Sequence, residues 1–141
     1  MIYTPNTMKA MVIAFNAHLG QLDKSGIPYI YHPIHVAEQM STEEECIVAL
    51  LHDVVEDTEI TFEQLEKEFS DTVIEALKLL THDEAVPYMD YIKNLKYNPI
   101  ARRVKIQDLL HNSDESRKEQ NEKDKKRNKK YWEAIKLLIE Q

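Results

Sequence analysis

Residues 46–57 read CIVALLHDVVED, an aliphatic run that leads directly into four ionisable side chains. At about 100° per residue on an α-helix, the imidazole and the three carboxylates share one face, and the aliphatic side chains share the opposite face. The residues on the polar face are His52, Asp53, Glu56 and Asp57. Because this polar face ends an almost continuously apolar segment, we expect it to open onto a cleft rather than onto bulk solvent.

The helical pattern extends outward from this segment in both directions. Ser41 and Thr42 stand three residues before Glu44 and Glu45, which predicts a capped start for a helix over 42–56. Further helices are predicted over 7–19, 33–40, 61–69, 72–80, 87–97 and 98–112, with an apolar segment at 131–139 that must pack against them. The first helix is predicted to bury Met8, Met11, Val12, Phe15 and Leu19. The sequence therefore predicts a single all-α domain of seven or eight helices over residues 1–141.

The composition restricts the ligands that the chain can hold by itself. It has 141 residues, with 18 Lys and Arg against 25 Asp and Glu and a net charge of −7. Nucleic-acid backbones are held by clustered cations, so this balance argues against nucleic acid as a partner. The two glycines, Gly20 and Gly26, cannot build a glycine-rich phosphate loop. A phosphorylated ligand would therefore need a bound cation.

The single cysteine, Cys46, excludes an internal disulfide and a cysteine-cluster zinc site. Its aliphatic neighbours predict a buried side chain rather than a nucleophile. The N-terminal residues lack the basic and apolar stretches of a signal peptide, and no apolar run approaches the ~18 residues that cross a bilayer. We therefore expect a cytoplasmic protein without a membrane partner.

The polar face of residues 52–57 has the composition of a metal site. Three carboxylates held closely together repel one another, which raises the pKa of each unless a cation lies among them. Mixed nitrogen and oxygen ligands without a thiolate suit Mn²⁺, Fe²⁺ or Zn²⁺ and argue against a structural zinc site. A solvated acidic helix end is the alternative interpretation of this segment alone.

A second polar set lies in residues 104–112, which read VKIQDLLHN. Lys105, Asp108 and Asn112 share one side of a helix that is otherwise largely apolar. A buried carboxylate needs a partner, because an unpaired one costs several kcal/mol. For Asp108, that partner is either Lys105 alone or a metal ion shared with the 52–57 segment.

A third candidate lies in residues 29–33, YIYHP, which place His32 in an exposed-looking loop before a helix that starts at Pro33. The other histidines are assigned structural roles, although His35 lies three residues after His32 and could share its face. The remaining members of this set are His18, His82 and His111.

Together these segments resemble the HD-domain phosphohydrolases. In that family a histidine, then a His-Asp pair and then an aspartate bind the metal, and the matching residues here are His32, His52-Asp53 and Asp108. More narrowly, the chain resembles the hydrolase domain of RelA/SpoT-type alarmone enzymes and their small single-domain relatives. The resemblance covers residues 10–112 and, more weakly, 131–138. Its segments are AHLGQ at 17–21, KSGIPYIYHP at 24–33, ALLHDVVEDT at 49–58 and VKIQDLLHN at 104–112.

The resemblance implies an all-helical HD domain that hydrolyses the 3′-pyrophosphate of ppGpp or pppGpp to GDP or GTP and pyrophosphate. The sequence has no counterpart of the family's synthetase region, so we expect no synthetase activity. It implies one Mn²⁺ ion, with Fe²⁺ and Zn²⁺ as the other candidates. The implied metal ligands are His32, His52, Asp53 and Asp108. Glu56 and Asp57 would position and activate the attacking water, and Lys24, Ser25 and Asn112 would contact the nucleotide.

One departure from the family pattern concerns the nucleotide base. Asp23 stands where many long members have an arginine that stacks on guanine. The substrate could therefore be another nucleotide, such as NADPH, a nucleoside monophosphate or a dNTP. A non-catalytic nucleotide-binding module is a further alternative, although the presence of every implied ligand and both acids favours an enzyme.

The segment 114–130 contains no hydrophobic residue and is interpreted as a solvated helix rather than a nucleic-acid contact. From this segment, Arg127 or Lys130 could lean over the cleft and meet a phosphate.

Overall fold

The computed structural model describes residues 1–114 and 122–140, which form nine helices and no β-strand beyond one isolated bridge. The helices are α1 (Pro5–Ala17), α2 (Tyr31–Glu38), α3 (Glu43–Leu51), α4 (Val54–Asp57), α5 (Phe62–Glu66), α6 (Asp71–Leu80), α7 (Tyr88–Leu95), α8 (Pro99–Asn112) and α9 (Glu122–Ile139). The predicted all-α class is confirmed. The count in these ranges exceeds seven or eight because the segment predicted as one helix over 42–56 forms two.

Helix α3 lies at the centre of the fold and packs against α1, α2, α6 and α8. Its start is capped as predicted: the Thr42 side chain accepts from the Glu45 amide, and the Glu45 side chain accepts from the Thr42 amide. Every residue from Glu45 to Leu51 is buried. Cys46 is buried among them, as predicted, and its thiol lies 3.5 Å from the carbonyl oxygen of Ala37.

The chain is not helical across the junction between α3 and α4, and this corrects the predicted continuous helix. His52 caps the end of α3, and Asp53 adopts φ −106° and ψ 0° before α4 begins. His52 Nδ1 lies 2.6 Å from the carbonyl oxygen of Ala49, which in a continuous helix would accept from the amide of Asp53. The imidazole therefore competes for the hydrogen bond that would extend the helix, and the 100° periodicity does not hold across the junction.

Helix α1 buries a different face from the predicted one. Met8, Val12, Phe15 and Leu19 are between 49% and 70% exposed. The buried face consists of Thr7, Ala10 and Ala14, and both alanines are fully buried. Because α1 packs against the apolar helix α3, small side chains at the contact allow the two helix backbones to approach closely.

Helix α2 begins two residues before the predicted start at Pro33, so His32 belongs to the helix rather than to an exposed loop. The amides of Tyr31 and His32 donate to the carbonyl oxygens of Pro28 and Tyr29, which starts the helical turn before the proline. His32 is consequently only 4% exposed. The prediction that His32 lies in an exposed loop is therefore wrong: the side chain is buried beside the core.

Helices α8 and α9 complete the fold, with α8 packed against α3 and α9 packed against α8. Asn98 caps α8 by accepting from the amide of Ala101, and Pro99 occupies the first turn. Helix α9 packs against α7 and α8 through Ala134, Ile135 and Leu138, as predicted for the apolar segment at 131–139. Within the segment 114–130, residues 115–121 lie outside the described residues. Of the helices that are described, none is both long enough and apolar enough to cross a membrane.

Candidate metal centre

Four side chains from three parts of the fold converge at one buried point. His32 comes from the first turn of α2, His52 and Asp53 from the junction between α3 and α4, and Asp108 from α8. One nitrogen or oxygen atom of each lies within 4.8 Å of the others. These are the four residues predicted as metal ligands, and the structure brings all of them together.

Within this cluster, Nε2 of each histidine lies close to carboxylate oxygens. His32 Nε2 lies 2.7 Å from Asp108 Oδ1, and His52 Nε2 lies 3.3 Å from the same oxygen. His52 Nε2 also lies 3.0 Å from Asp53 Oδ2. Both imidazoles therefore direct Nε2 toward the carboxylates, as a shared cation would require.

The two oxygens of Asp108 have different partners. Lys105 Nζ contacts Oδ2 at 2.8 Å, whereas Oδ1 faces both histidines and accepts from the Asn112 side-chain amide at 3.1 Å. Burial raises the pKa of Asp108, but Lys105 and the histidines outweigh burial and hold it well below its usual value. Lys105 therefore pairs with one oxygen, and the other oxygen remains directed at the cluster.

The neighbouring charges also set the ionisation of His52 and Asp53. Burial lowers the pKa of His52, yet Asp53 and Asp108 raise it well above its usual value. Burial likewise raises the pKa of Asp53, but His52 lowers it to about 2. The expected rise for each crowded carboxylate thus fails at Asp53, because the attraction of the His52 imidazole, 3.0 Å away, outweighs burial and the repulsion of Asp108.

The donor set fits a divalent transition metal. Two imidazole nitrogens and two carboxylates, without a thiolate, match the ligands that Mn²⁺, Fe²⁺ and Zn²⁺ accept. His32, His52 and Asp108 are each 4% exposed, so their charges depend on one another rather than on water. The four ligand atoms lie close enough together to hold one cation.

A second acidic group adjoins this cluster. Carboxylate oxygens of Asp53, Glu56 and Asp57 lie within 4.8 Å of one another. Burial, together with repulsion from Asp53 and Glu56, raises the pKa of Asp57 to about 6. Glu56 is exposed, and its Oε1 accepts from the backbone amide of His82 at 2.7 Å. The predicted catalytic acids therefore lie beside the predicted metal ligands.

Two adjoining cavities of about 260 and 320 Å³ open over the cluster and share Tyr29, Asn112 and Tyr131. Lys24, Ser25 and Asn112, predicted to contact a nucleotide, line the smaller cavity together with Arg127. The larger one is lined by Asp53, Glu56, Asp57 and Lys130, among others. The acidic residues therefore face a cleft, and Arg127 and Lys130, either of which could meet a phosphate, both line it.

The loop before α2 explains the role of Asp23. Asp23 Oδ1 accepts from the amides of Ser25 at 2.8 Å and Ile27 at 3.0 Å, and Gly26 in the same turn has φ +79°. The carboxylate thus caps its own loop. It holds Lys24 and Ser25 at the edge of the smaller cavity rather than standing free toward solvent.

Two residues of the site, Tyr29 and His111, have no functional role in the prediction from the sequence. The Tyr29 hydroxyl donates to Asp53 Oδ2, and burial and then Asp53 raise the pKa of Tyr29 so that it stays protonated. His111 Nδ1 lies 2.7 Å from His32 Nδ1, although His111 was assigned a structural role. Tyr29 stands within the recognised PYIYHP segment, which marked its position but not its partner. No local pattern indicates the contact between His32 and His111.

Comparisons with known proteins support a family assignment. A family model described as HD domain matches residues 10–139, and the chain belongs to the HD domain family. The solved structure of a metazoan ortholog of SpoT superposes with a TM-score of 0.78, covering 99% of this chain and 88% of that chain. At 23% sequence identity, this likeness shows that the two chains share a fold.

Curated relatives have similar sequences over part of their length. The Danio rerio guanosine-3′,5′-bis(diphosphate) 3′-pyrophosphohydrolase MESH1 is 40% identical over 101 residues, 64% of this chain and 56% of that protein. The bifunctional (p)ppGpp synthase/hydrolase SpoT of Escherichia coli K12 is 37% identical over 86 residues, 58% of this chain and 12% of SpoT. The putative GTP diphosphokinase RSH1 of Arabidopsis thaliana is 51% identical over 70 residues, 46% of this chain and 8% of RSH1. The chain thus spans between 8% and 56% of the length of these relatives.

Proposed function

We propose that this protein is a metal-dependent hydrolase that removes the 3′-pyrophosphate of ppGpp or pppGpp. The observation that carries the proposal is the convergence of His32, His52, Asp53 and Asp108 beneath a cleft bordered by two further acids. The relatives named as ppGpp 3′-pyrophosphohydrolase or (p)ppGpp synthase/hydrolase support this choice of reaction.

Mn²⁺ is the proposed ion, with Fe²⁺ and Zn²⁺ as the other candidates for the same ligands. When bound, a divalent ion neutralises phosphate oxygens and makes water more acidic. His32, His52, Asp53 and Asp108 would hold the ion, and Nε2 of both imidazoles already faces the Asp108 carboxylate. Lys105 and Asn112 hold the Asp108 carboxylate in place for this purpose.

Glu56 and Asp57 are proposed to position the attacking water and accept its proton. Both carboxylates border the larger cavity, next to Asp53. A carboxylate whose pKa has been raised to about 6, as at Asp57, is a better proton acceptor than an ordinary aspartate near neutral pH. The His82 amide holds Glu56 at the cleft, so that its other oxygen can orient water.

The nucleotide is proposed to lie across both cavities. Lys24, Ser25 and Asn112 line the smaller one, where the Arg127 guanidinium is also available to a phosphate. Asp124 lies 3.7 Å from Lys24 Nζ and 2.6 Å from Arg127 Nη2, and it holds these two cations at the edge of the cavity. Lys130 lines the larger cavity, where its ammonium group is proposed to contact a phosphate of the substrate.

A second candidate substrate is another 3′-phosphorylated or 2′-phosphorylated nucleotide such as NADPH. The observation that favours it is the Asp23 carboxylate, which caps its own loop and supplies no cationic plane for a guanine base. Under this alternative the metal centre and both acids keep their roles, and only the base contact differs.

The test is a product assay on the metal-free protein reloaded with Mn²⁺, Fe²⁺ or Zn²⁺, with ppGpp, pppGpp, NADPH, a nucleoside monophosphate and dNTPs as substrates. We expect pyrophosphate and GDP or GTP from the first two, with the highest rate for Mn²⁺. Turnover of NADPH or dNTPs alone would contradict the proposed substrate. Nucleotide binding without turnover by any of the metals would instead indicate a non-catalytic module.

The absence of synthetase activity remains a prediction, and the same assay with ATP and GDP tests it. A cytoplasmic location is likewise proposed, because the buried thiol of Cys46 suits a reducing compartment.

A further inference from the structure

The ring of His32 is held at both of its nitrogens. Nε2 lies 2.7 Å from Asp108 Oδ1, and Nδ1 lies 2.7 Å from Nδ1 of His111. Two imidazole nitrogens that face each other at this distance share a single proton, so that one ring donates and the other accepts. Because His32 is 4% exposed, water does not substitute for either contact.

The direction of the His32–His111 hydrogen bond follows from metal ligation. An imidazole nitrogen that binds a metal carries no proton, and the proton then lies on the other nitrogen of the ring. In His32, Nε2 faces the carboxylates of the cluster, which leaves the proton on Nδ1. His32 Nδ1–H therefore donates to His111, whose Nδ1 accepts.

His111 is itself held in the orientation that this hydrogen bond needs. Its ring stacks on that of His35, with centroids 4.0 Å apart and planes inclined by 19°. It lies nearly parallel to the ring of His32, with an interplanar angle of 8°. His111 also follows Asp108 by three residues on α8. The same helix therefore supplies one proposed ligand, Asp108, and the hydrogen-bond partner of a second proposed ligand, His32.

The second imidazole of the cluster is oriented in a different way. His52 Nδ1 lies 2.6 Å from the carbonyl oxygen of Ala49 in its own helix, and no substitution of a side chain removes that acceptor. His32 depends instead on one side chain, 79 residues away in the sequence. We propose that His111 is a positioning residue that fixes the tautomer and ring orientation of His32 and thereby sets the affinity for the divalent ion. This inference rests on the proposed metal site.

The test compares H111F and H111N by titrating metal-free protein with Mn²⁺ and measuring free Mn²⁺ by electron paramagnetic resonance. Phenylalanine keeps the stacked ring but removes the acceptor, and we expect the affinity to fall about 10- to 100-fold, as for other lost partners of metal-bound histidines. Asparagine places its Oδ1 near the lost Nδ1, and we expect it to restore most of the affinity. H35F, which keeps a ring against His111, is the matched control and should bind as the wild type does.

Melting curves of the metal-free variants establish that each is folded before titration. Wild-type affinity in H111F would overturn the inference, and so would equal losses in H111F and H111N, because the acceptor would then not matter. A wild type that binds no Mn²⁺ overturns the proposed site and this role together. A wild type that binds Mn²⁺ but hydrolyses no nucleotide contradicts the proposed reaction only, and the ratio between variants still decides the role of His111.

Discussion

Asp53 and Asp57 are four residues apart and border the same cleft, yet their carboxyl groups ionise very differently. His52 lies 3.0 Å from Asp53 and lowers its pKa to about 2. At Asp57, burial together with repulsion from Asp53 and Glu56 outweighs the attraction of His52 and raises the pKa to about 6. One carboxylate is therefore suited to hold a metal ion and the other to accept a proton.

The first prediction follows from the raised pKa of Asp57 in the metal-free protein. Between about pH 4 and pH 6 the folded state binds more protons at this site than the unfolded state does, so the free energy of unfolding falls as the pH rises through this window. D57N removes the repulsion, and we expect a higher melting temperature than wild type near pH 8 but little difference near pH 4. Thermal melting across this range measures it, with the exposed Glu59→Gln as the control. A gain in D57N that is equally large at pH 4 and pH 8 would contradict this pH dependence.

The second prediction separates metal ligands from catalytic acids. Glu56→Gln keeps the oxygen that accepts from the His82 amide and should bind Mn²⁺ like the wild type, but with a rate of hydrolysis reduced by about 10²- to 10⁴-fold. Asp53→Ala should lose Mn²⁺ binding and hydrolysis together, because it removes one of four ligands. Titration with Mn²⁺ and initial rates measure the two properties separately. Loss of the metal from E56Q would make Glu56 a ligand.

At the scale of single elements, the break between α3 and α4 matters most to the site. A continuous helix would place His52 and Asp53 about 100° apart on one surface. The observed junction instead brings a ligand atom of each side chain within 4.8 Å of Asp108 and His32, and α4 presents its acids to the cleft. The break thus joins the ligand pair, His52 and Asp53, to the acidic pair, Glu56 and Asp57, within six residues.

Helix α1 shows how packing, rather than hydrophobicity alone, selects the buried face. Ala14 is fully buried against the core, whereas Met8 is 63% exposed. The third prediction is that Ala14→Leu lowers the free energy of unfolding by about 1–3 kcal/mol through overpacking. Met8→Gln should change it by less than about 0.5 kcal/mol. Urea unfolding of both variants measures these values. A larger loss of stability in Met8→Gln than in Ala14→Leu would instead indicate that α1 buries the face of large apolar residues that periodicity predicts.

For the whole molecule, the proposed metal centre joins helices that are distant in the sequence. Its ligands come from α2, from the α3–α4 junction and from α8, with Asp108 76 residues after His32. An ion that binds only the folded state stabilises it by mass action. The centre would therefore connect three parts of the bundle at one point.

The fourth prediction is that Mn²⁺ at 100 times its Kd raises the stability of the metal-free protein by about 2.7 kcal/mol. For a chain of 141 residues this corresponds to roughly 5–10 °C in the melting temperature. A chelator should reverse the shift, and Asp53→Asn should show little of it. An equal shift in D53N would indicate that Mn²⁺ binds somewhere other than the four ligands.

The sequence by itself determined the helical class, the capped start of α3 and the residues that could serve as ligands or acids. Caps, prolines and helical periodicity act within a few residues, so they can be recognised locally. The order of His32, His52-Asp53 and Asp108 resembles a family pattern, and that resemblance predicts the site residues. The extent of the domain over residues 1–141 remains a prediction.

The tertiary structure alone decided which face of α1 is buried, where the helix breaks at His52, and what surrounds each ligand. Asp53 is contacted by Tyr29, 24 residues away in the chain. His32 is contacted by His111, 79 residues away. Such contacts depend on how α2, α3 and α8 pack, because a helix presents several faces and only its neighbours determine which one is covered. The ionisation of Asp53 and Asp57 depends on the same packing, since a pKa responds to charges within a few ångströms whatever their separation in the sequence.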